Sequence, residues 1–469
     1  MRRSILAAAL AAAVPGCALK LPWSTSELQK EALRNTAVPA AWKAGGAVVA
    51  PVADRWLASF ADPALSALVD EALVYNADLQ VATARVEQAA GYVKVAGGTL
   101  YPAVNAAARA AVKDAGGTQG GGLSASWELD LWGRLRYGAR AAESQYASAQ
   151  ADYAYARASL AAMVARAWFL ATETALQRQL AQEIVGSSEQ LLRLAQDRQR
   201  IGSGDALDVA TADVSLGGYR DALRQLDLAQ EQSLRALEVL LGRYPSAELR
   251  APMKLIALPG PVPAGLPSEL LERRPDVIAA ERRVAAAFDR IEEARTAMLP
   301  TISLTTGLGY VSSDVFVLKN INNPLWSFAA IFFVPLFRGG ALEAQVEIRT
   351  AEQKQAIAEY ARTGIRAFSD VESALSAELA SREREVILAK TVVDNERALE
   401  LAMVRYRVGT ADLRVVLQQQ LTLFATRSAA LRVRSEQLVQ RVNLYLALGG
   451  DFDGRAGEPR AATESAPLR

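Results

Sequence analysis

Four short stretches of this chain alternate apolar and polar residues with a period of two, and two very long ones carry apolar residues in a three-four rhythm. In residues 102–113, Val104, Ala106, Ala108, Ala110 and Val112 oppose Asn105, Ala107, Arg109, Ala111 and Lys113. In 122–132, Leu123, Ala125, Trp127, Leu129 and Leu131 oppose Ser124, Ser126, Glu128 and Asp130. In 300–312, Ile302, Leu304, Leu308 and Tyr310 oppose Thr301, Ser303, Thr305, Gly307 and Gly309. In 325–337, Trp326, Phe328, Ala330, Phe332, Val334 and Leu336 alternate with Ser327, Ala329, Ile331, Phe333 and Pro335. A period of two predicts strands. At about 10 to 12 residues, these have the length of tilted strands crossing hydrocarbon, whereas strands of soluble sandwiches run nearer 5 or 6. Four strands cannot close a barrel and open edges are not tolerated in lipid, so at least two chains must pool their strands to reach the roughly 8 of the smallest barrels; three copies give about 12. The glycine-rich segment 114–122 and the segment 312–324 are expected as surface loops joining each strand pair.

The three-four rhythm predicts proline-free helices over Leu135–Arg200 and Ala341–Arg407. In the first, Tyr146, Ala149, Tyr153, Ala156, Leu160, Met163, Ala167 and Leu170 mark the expected seam. Each helix would be roughly 100 Å long, several times a bilayer, and charges such as Arg157, Arg166, Glu173, Arg178 and Glu183 place it in water. A long coiled coil is the reading that follows. Tight hairpins at 201–205 and 408–412 offer a glycine for the left-handed helix stop and Ser or Asp to cap the returning helices, 207–241 and 413–448. Because those are shorter, the first helices, 76–99 and 274–298, are expected to stack end to end with one of the later ones.

The pattern occurs twice. Asn76–Leu79 returns as Arg274–Val277 and Tyr101-Pro102 as Leu299-Pro300, at an offset of 198; Arg198–Gly202 and Leu241-Gly242 return as Arg405–Gly409 and Leu448-Gly449, at 207. A unit used twice that cannot bury its own surfaces must find neighbours. The division that follows is a leader (1–16), an N-terminal segment (17–75), repeat 1 (76–242), a linker (243–273), repeat 2 (274–449) and a disordered tail (450–469).

Composition narrows the function. With 52 basic and 51 acidic residues interleaved over 469, no nucleic-acid partner is expected. There is no histidine and one cysteine, and no nucleotide or metal signature, which removes most acid-base, thiol and metal chemistry: the expectation is no enzyme, no metal and no cofactor. Arg2-Arg3 followed by the apolar run Ile5–Val14 is an export signal, and Val14-Pro15-Gly16-Cys17 resembles a lipobox, which makes Cys17 the expected lipidation site. Beyond the leader no apolar run reaches the length of a membrane-spanning helix.

Taken with its motifs, the chain resembles the TolC-type outer-membrane factors, in their OprM-like (NodT-type) lipoprotein branch, from Cys17 to about Phe452. The segment Leu266-Pro267-Ser268-Glu269-Leu270-Leu271-Glu272-Arg273-Arg274-Pro275-Asp276 carries the likeness best. Trp127–Arg134, Phe60-Ala61-Asp62-Pro63 with Leu65 and Leu68, and Asn443–Gly450 add to it. The resemblance implies a mixed α and membrane β fold: a homotrimer with a 12-strand barrel, four strands per chain, continued by a long α-helical periplasmic barrel. It implies the exit duct of a tripartite efflux pump, set in outer-membrane lipid and joined by a periplasmic membrane-fusion adaptor to an inner-membrane transporter, expected to be of the RND type. Type I protein secretion and metal efflux are the alternatives. It assigns adaptor docking to Ile201, Gly202, Ser203, Val408, Gly409 and Thr410, and the periplasmic aperture to the neighbourhood of Asp205, Asp208, Asp412, Arg414 and Gln418. Acidic aperture positions common in the family fall here on Val415 and Gln418, so the aperture is expected to attract cations less. Since Ser203-Gly204-Asp205 and Thr410-Ala411-Asp412 differ, a trimer should offer six docking sites in two classes.

Overall fold

A computed structural model of the chain describes residues 19–45, 50, 52, 54–109, 118–313 and 325–453. Among the described residues, α1 (Thr25–Ala32), opened by the Ser24/Glu27 capping box, a single helical turn at Trp56–Ser59, and α2 (Pro63–Tyr75) lead the chain. The Asp62 carboxylate accepts the N–H groups of Ala64 and Leu65 at the start of α2, with proline at its first position. Repeat 1 follows as α3 (Ala77–Gly98), β1 (Ala103–Arg109), β2 (Thr118–Leu129), α4 (Arg134–Arg200) and α5 (Ala206–Leu240). Repeat 2 has the same order: α6 (Pro275–Thr296), β3 (Thr301–Ser313), β4 (Leu325–Phe333), α7 (Ala341–Arg407) and α8 (Leu413–Ala447). Both long helices have 67 residues and both returning helices 35. The start of α4 is made by Asp130, whose carboxylate accepts the N–H groups of Leu135 and Arg136 at 3.1 Å.

The chain divides into two compact units, Met1–Thr36 with Ala84–Asp152 and Asp276–Gly364, and Ala37–Thr83 with Tyr153–Pro275 and Ile365–Arg469. The first contains an antiparallel sheet of order β1-β2-β3-β4. Register lines up its apolar residues across all four strands: Val104 faces Ala125, Thr306 and Phe328 in turn, and Ala106 faces Leu123, Leu308 and Trp326. Leu123, Leu308, Trp326 and Phe328 are all more than half exposed. On the opposite face run Asn105, Ser124, Gly307 and Ser327.

One expectation is corrected here. The expected loop 114–122 ends earlier, because β2 begins at Thr118, and Gly120, Gly121 and Gly122 pair with Arg109, Ala108 and Ala107 on one side and Val311, Tyr310 and Gly309 on the other. A side chain on Gly122 would sit 2.6 Å from the Leu308 carbonyl oxygen, and one on Gly309 2.8 Å from that of Gly121. The strands therefore approach too closely at these glycines, on the face opposite the apolar one, to admit a side chain there. At the other end β4 stops at Phe333, and Val334 to Arg338 are not strand. Residues 110–117 and 314–324, with most of both expected loops, lie outside the described residues.

Also in the first unit, α6 packs inward: Val277, Ala279, Ala280, Val284, Ala286, Ala287 and Ile291 are buried. The Ser148 hydroxyl donates to the Ala279 carbonyl at 3.0 Å, Arg140 pairs with Asp289 at 3.1 Å, and Lys20 pairs with Glu292 at 3.3 Å.

The second unit centres on Trp56, stacked on Tyr445 at 5.5 Å, with Phe60 against Phe169. The expected seam of α4 is corrected here. Met163 and Leu170 are among its exposed residues, while Ala161, Ala162, Val164, Ala165, Trp168, Phe169 and Ala171 are buried. A helix packed on several neighbours buries most of its circumference and has no single seam.

The linker is strapped down by ions. Glu238 accepts the N–H groups of Ala247, Glu248 and Leu249, and the fully buried Arg441 donates to the carbonyls of Pro259 and Gly260 and to both oxygens of Glu378. The tail begins later than expected: Phe452 is buried, the Asp451 carbonyl accepts from Arg55 at 2.8 Å, and Asp453 pairs with Arg157 at 2.8 Å. Residues 454–469 lie outside the described residues.

The first helix of each repeat begins where the returning helix of that repeat ends. Asn76 Nδ2 donates to the Leu240 carbonyl at 3.0 Å, and Arg274 donates to the Ala447 carbonyl at 3.3 Å. Gly242 and Gly449 follow those helix ends with φ of 72° and 67°, the left-handed stop that glycine adopts freely.

Candidate functional site

The two hairpin tips are built alike. Each long helix ends in a stop in which the residue after the glycine donates its N–H five residues back: Ser203 to the Arg198 carbonyl and Thr410 to that of Arg405, both at 2.9 Å. The hydroxyls of Ser203 and Thr410 reach the same two carbonyls, at 3.4 and 3.2 Å. Gly202 and Gly409 take φ of 75° and 81°, which explains glycine in both places. Space does not, for a side chain on Gly202 would meet nothing within 4 Å. Beside each glycine stands a bare apolar residue, Ile201 at 75% and Val408 at 68% exposure.

Aspartates open the returning helices. Asp205 accepts the N–H groups of Leu207 and Asp208, and Asp412 that of Arg414 at 2.8 Å. The Arg414 guanidinium then closes on Asp412 at 2.7 Å and holds that carboxyl below the usual range. Asp412 and Arg414 thus pair within one tip, with 44% and 73% of their side chains exposed. Asp208 moves the other way: burial pushes it up, helped by the charges of Asp205 and Asp412. Gln418 is exposed and lines an open groove of about 550 Å³ between α5 and α8, with Thr211, Ser215, Tyr219 and Arg414.

A residue with no site role in the sequence pattern, Arg198, joins the two tips. Arg198, the carbonyl end of the first stop, donates to the Tyr406 carbonyl and, at 3.1 Å, to that of Ser203, and its guanidinium lies 4.6 Å over the Tyr406 ring. Tyr406 and Leu413 are buried with Leu191, Ala195, Ala212 and Val416, so all four long and returning helices share one small core behind the tips. The signal was that Arg198 and Tyr406 stand among the repeated tip residues yet are not each other's counterparts. Cys17 lies outside the described residues. Among the described residues there is no group of acidic, histidine or cysteine side chains able to hold a metal, and no helix long and apolar enough to cross a membrane.

Known proteins share this architecture. The profile of the outer membrane efflux protein family matches residues 68–243 and 266–450, the two repeats. The chain is 31% identical to the probable efflux pump outer membrane protein TtgC of Pseudomonas putida, over 98% of each chain. It is 32% identical to the pyoverdine export outer membrane protein OpmQ of Pseudomonas aeruginosa, over 89% of this chain and 92% of that one. Among solved structures, that of the outer-membrane channel OprN superposes with a TM-score of 0.80 at 27% identity, covering 89% of this chain and 98% of the other.

Proposed function

The chain belongs to the outer membrane efflux protein family, and from that premise we propose that it is the outer-membrane exit duct of a tripartite efflux pump. One observation carries the reading. Four antiparallel strands present a mainly apolar face, interrupted by Thr306 and Gly121, and leave β1 and β4 as open edges, which lipid does not tolerate. Three copies, edge to edge, give a barrel of about 12 strands. We propose that assembly, with Cys17 as lipid anchor and no catalytic chemistry in the duct.

The tips support docking of a periplasmic adaptor at Ile201, Gly202, Ser203, Val408, Gly409 and Thr410. Their N–H groups and hydroxyls are satisfied within the tip, while Ile201 and Val408 stand exposed beside a bare glycine backbone. An inner-membrane transporter of the RND type would supply the energy. At the aperture, Asp205 and Asp412 are engaged as helix caps and Val415 and Gln418 carry no charge, which leaves Asp208 as the acid available to cations. The cargo proposed is small toxic organic compounds.

Particle mass in detergent and conductance in a planar bilayer test this. A three-chain particle that conducts is expected; a monomer, or a trimer that passes no current, would count against the duct.

A further inference from the structure

A groove of about 570 Å³ in the second unit, between α4, α7 and α8, has unbalanced charge. Three guanidinium groups line it, Arg166, Arg274 and Arg366, against the single carboxylate of Asp370. Arg274 is engaged: it is nearly fully buried, pairs with Asp370 at 3.0 Å and caps the Ala447 carbonyl. Arg166 is not neutralised. It is partly withdrawn from water, and its hydrogen-bond partner is the neutral Asn443 Oδ1 at 3.0 Å. Burial lowers its pKa accordingly. Arg366 is exposed on α7, and among the described residues neither it nor Arg166 has a carboxylate within ion-pair distance.

A partly desolvated cation facing an open cavity without a counter-charge is costly unless an anion joins it. Guanidinium forks match carboxylates in a bidentate geometry. The remaining wall mixes apolar Met163, Ala374, Ala377 and Leu446 with polar Tyr155, Ser159, Ser373 and Gln440, and the volume suits an amphipathic organic molecule. We propose that this groove binds a small amphipathic organic carboxylate, its head group between Arg166 and Arg366 and its body along Met163, Ala377 and Leu446. As a station for anionic cargo the groove rests on the duct reading; as a binding site it does not.

Isothermal titration of the purified full chain in non-ionic detergent, with 2-naphthoate and with its uncharged amide as probes, tests the site. Naphthoate is expected to bind at least about tenfold tighter than the amide, and Arg166→Gln to remove that preference. Arg366→Gln should weaken naphthoate in the same direction, and as a change to an exposed side chain it guards against misfolding of the first variant. Equal binding of the two probes, or an unchanged preference in both variants, overturns the proposal. So does loss of the trimer in both variants when the parent binds no naphthoate, because the arginines then serve a carboxylate of a second copy. Bilayer conductance keeps the two readings apart: a chain that binds naphthoate and does not conduct loses the duct and retains the site.

Discussion

The helices α3 and α6 hold the same place in the two repeats and have the same length, 22 residues, yet α6 is an inside helix and α3 an outside one. In α6, Val277, Val284 and Ile291 are buried at a spacing of seven, and even Asp289 is withdrawn from water. In α3, Leu79, Val86 and Ala89 are buried, but Val81, Tyr92 and Val95 stand 51%, 60% and 70% exposed. The same duplication thus closes one copy within the chain and leaves the other with an apolar face unused. That is what is expected of a unit whose second partner is another molecule.

The sharpest way to break this comparison is to place a carboxylate in each helix. Val284→Asp should leave no folded chain. Val95→Asp should fold and fail to form the proposed trimer, since an unpaired carboxylate buried in an interface costs about 3 kcal/mol or more, over about a hundredfold in association. Light-scattering mass reads this directly, and a trimer that survives Val95→Asp would show that α3 is not an interface.

Next in size are the junctions at the starts of these helices. Arg274→Ala strips a charged donor from the Ala447 carbonyl and orphans Asp370, and should cost about 2 to 3 kcal/mol. Asn76→Ala removes a neutral donor from the Leu240 carbonyl and the acceptor for the Leu79 N–H, and should cost about 1 kcal/mol. Thermal midpoints of the two variants, measured side by side, would reverse their order if the two junctions were not built as described.

Smaller still is a pH effect confined to α6. Burial is the main reason that Asp289 is raised from 3.8 to about 6, and the charges of Glu143 and Glu292 add to it while Arg140 opposes it. A raised acid destabilises the fold where it must ionise: the penalty is complete above about pH 6, shrinks as pH falls from about 6 to about 4, and is gone below that. Asp289→Asn should therefore gain relative to the parent at pH 7 and lose that gain at pH 4. The counterpart at the 198 offset is Gly91, an exposed residue with no charge to titrate.

The smallest expected effect lies at the tips. Ser203→Ala and Thr410→Ala should each change stability by less than about 0.5 kcal/mol, because a backbone N–H already holds the carbonyl each hydroxyl reaches. A large loss of export with an unchanged thermal midpoint would then mark docking rather than folding.

Much of this was legible in the order of residues. The period-two alternation located the four strands, the proline-free rhythm located both long helices, and Gly202 and Gly409 with Asp205 and Asp412 marked the stops and starts between helices. Gly120–Gly122 misled, because glycine signals a loop wherever chain conformation alone is considered, and only the facing Gly309 shows that the side chain is missing for want of room. The seam of α4 misled because helical periodicity describes one partner, and this helix has several.

The sequence by itself determined periodicity, caps and duplication, since these depend on near neighbours along the chain. Tertiary structure alone decided which copy of a repeated helix is buried, which arginine finds a carboxylate and which is left facing a cavity. Those outcomes turn on which distant residue arrives opposite, as Tyr406 does for Arg198, and no local spacing encodes that.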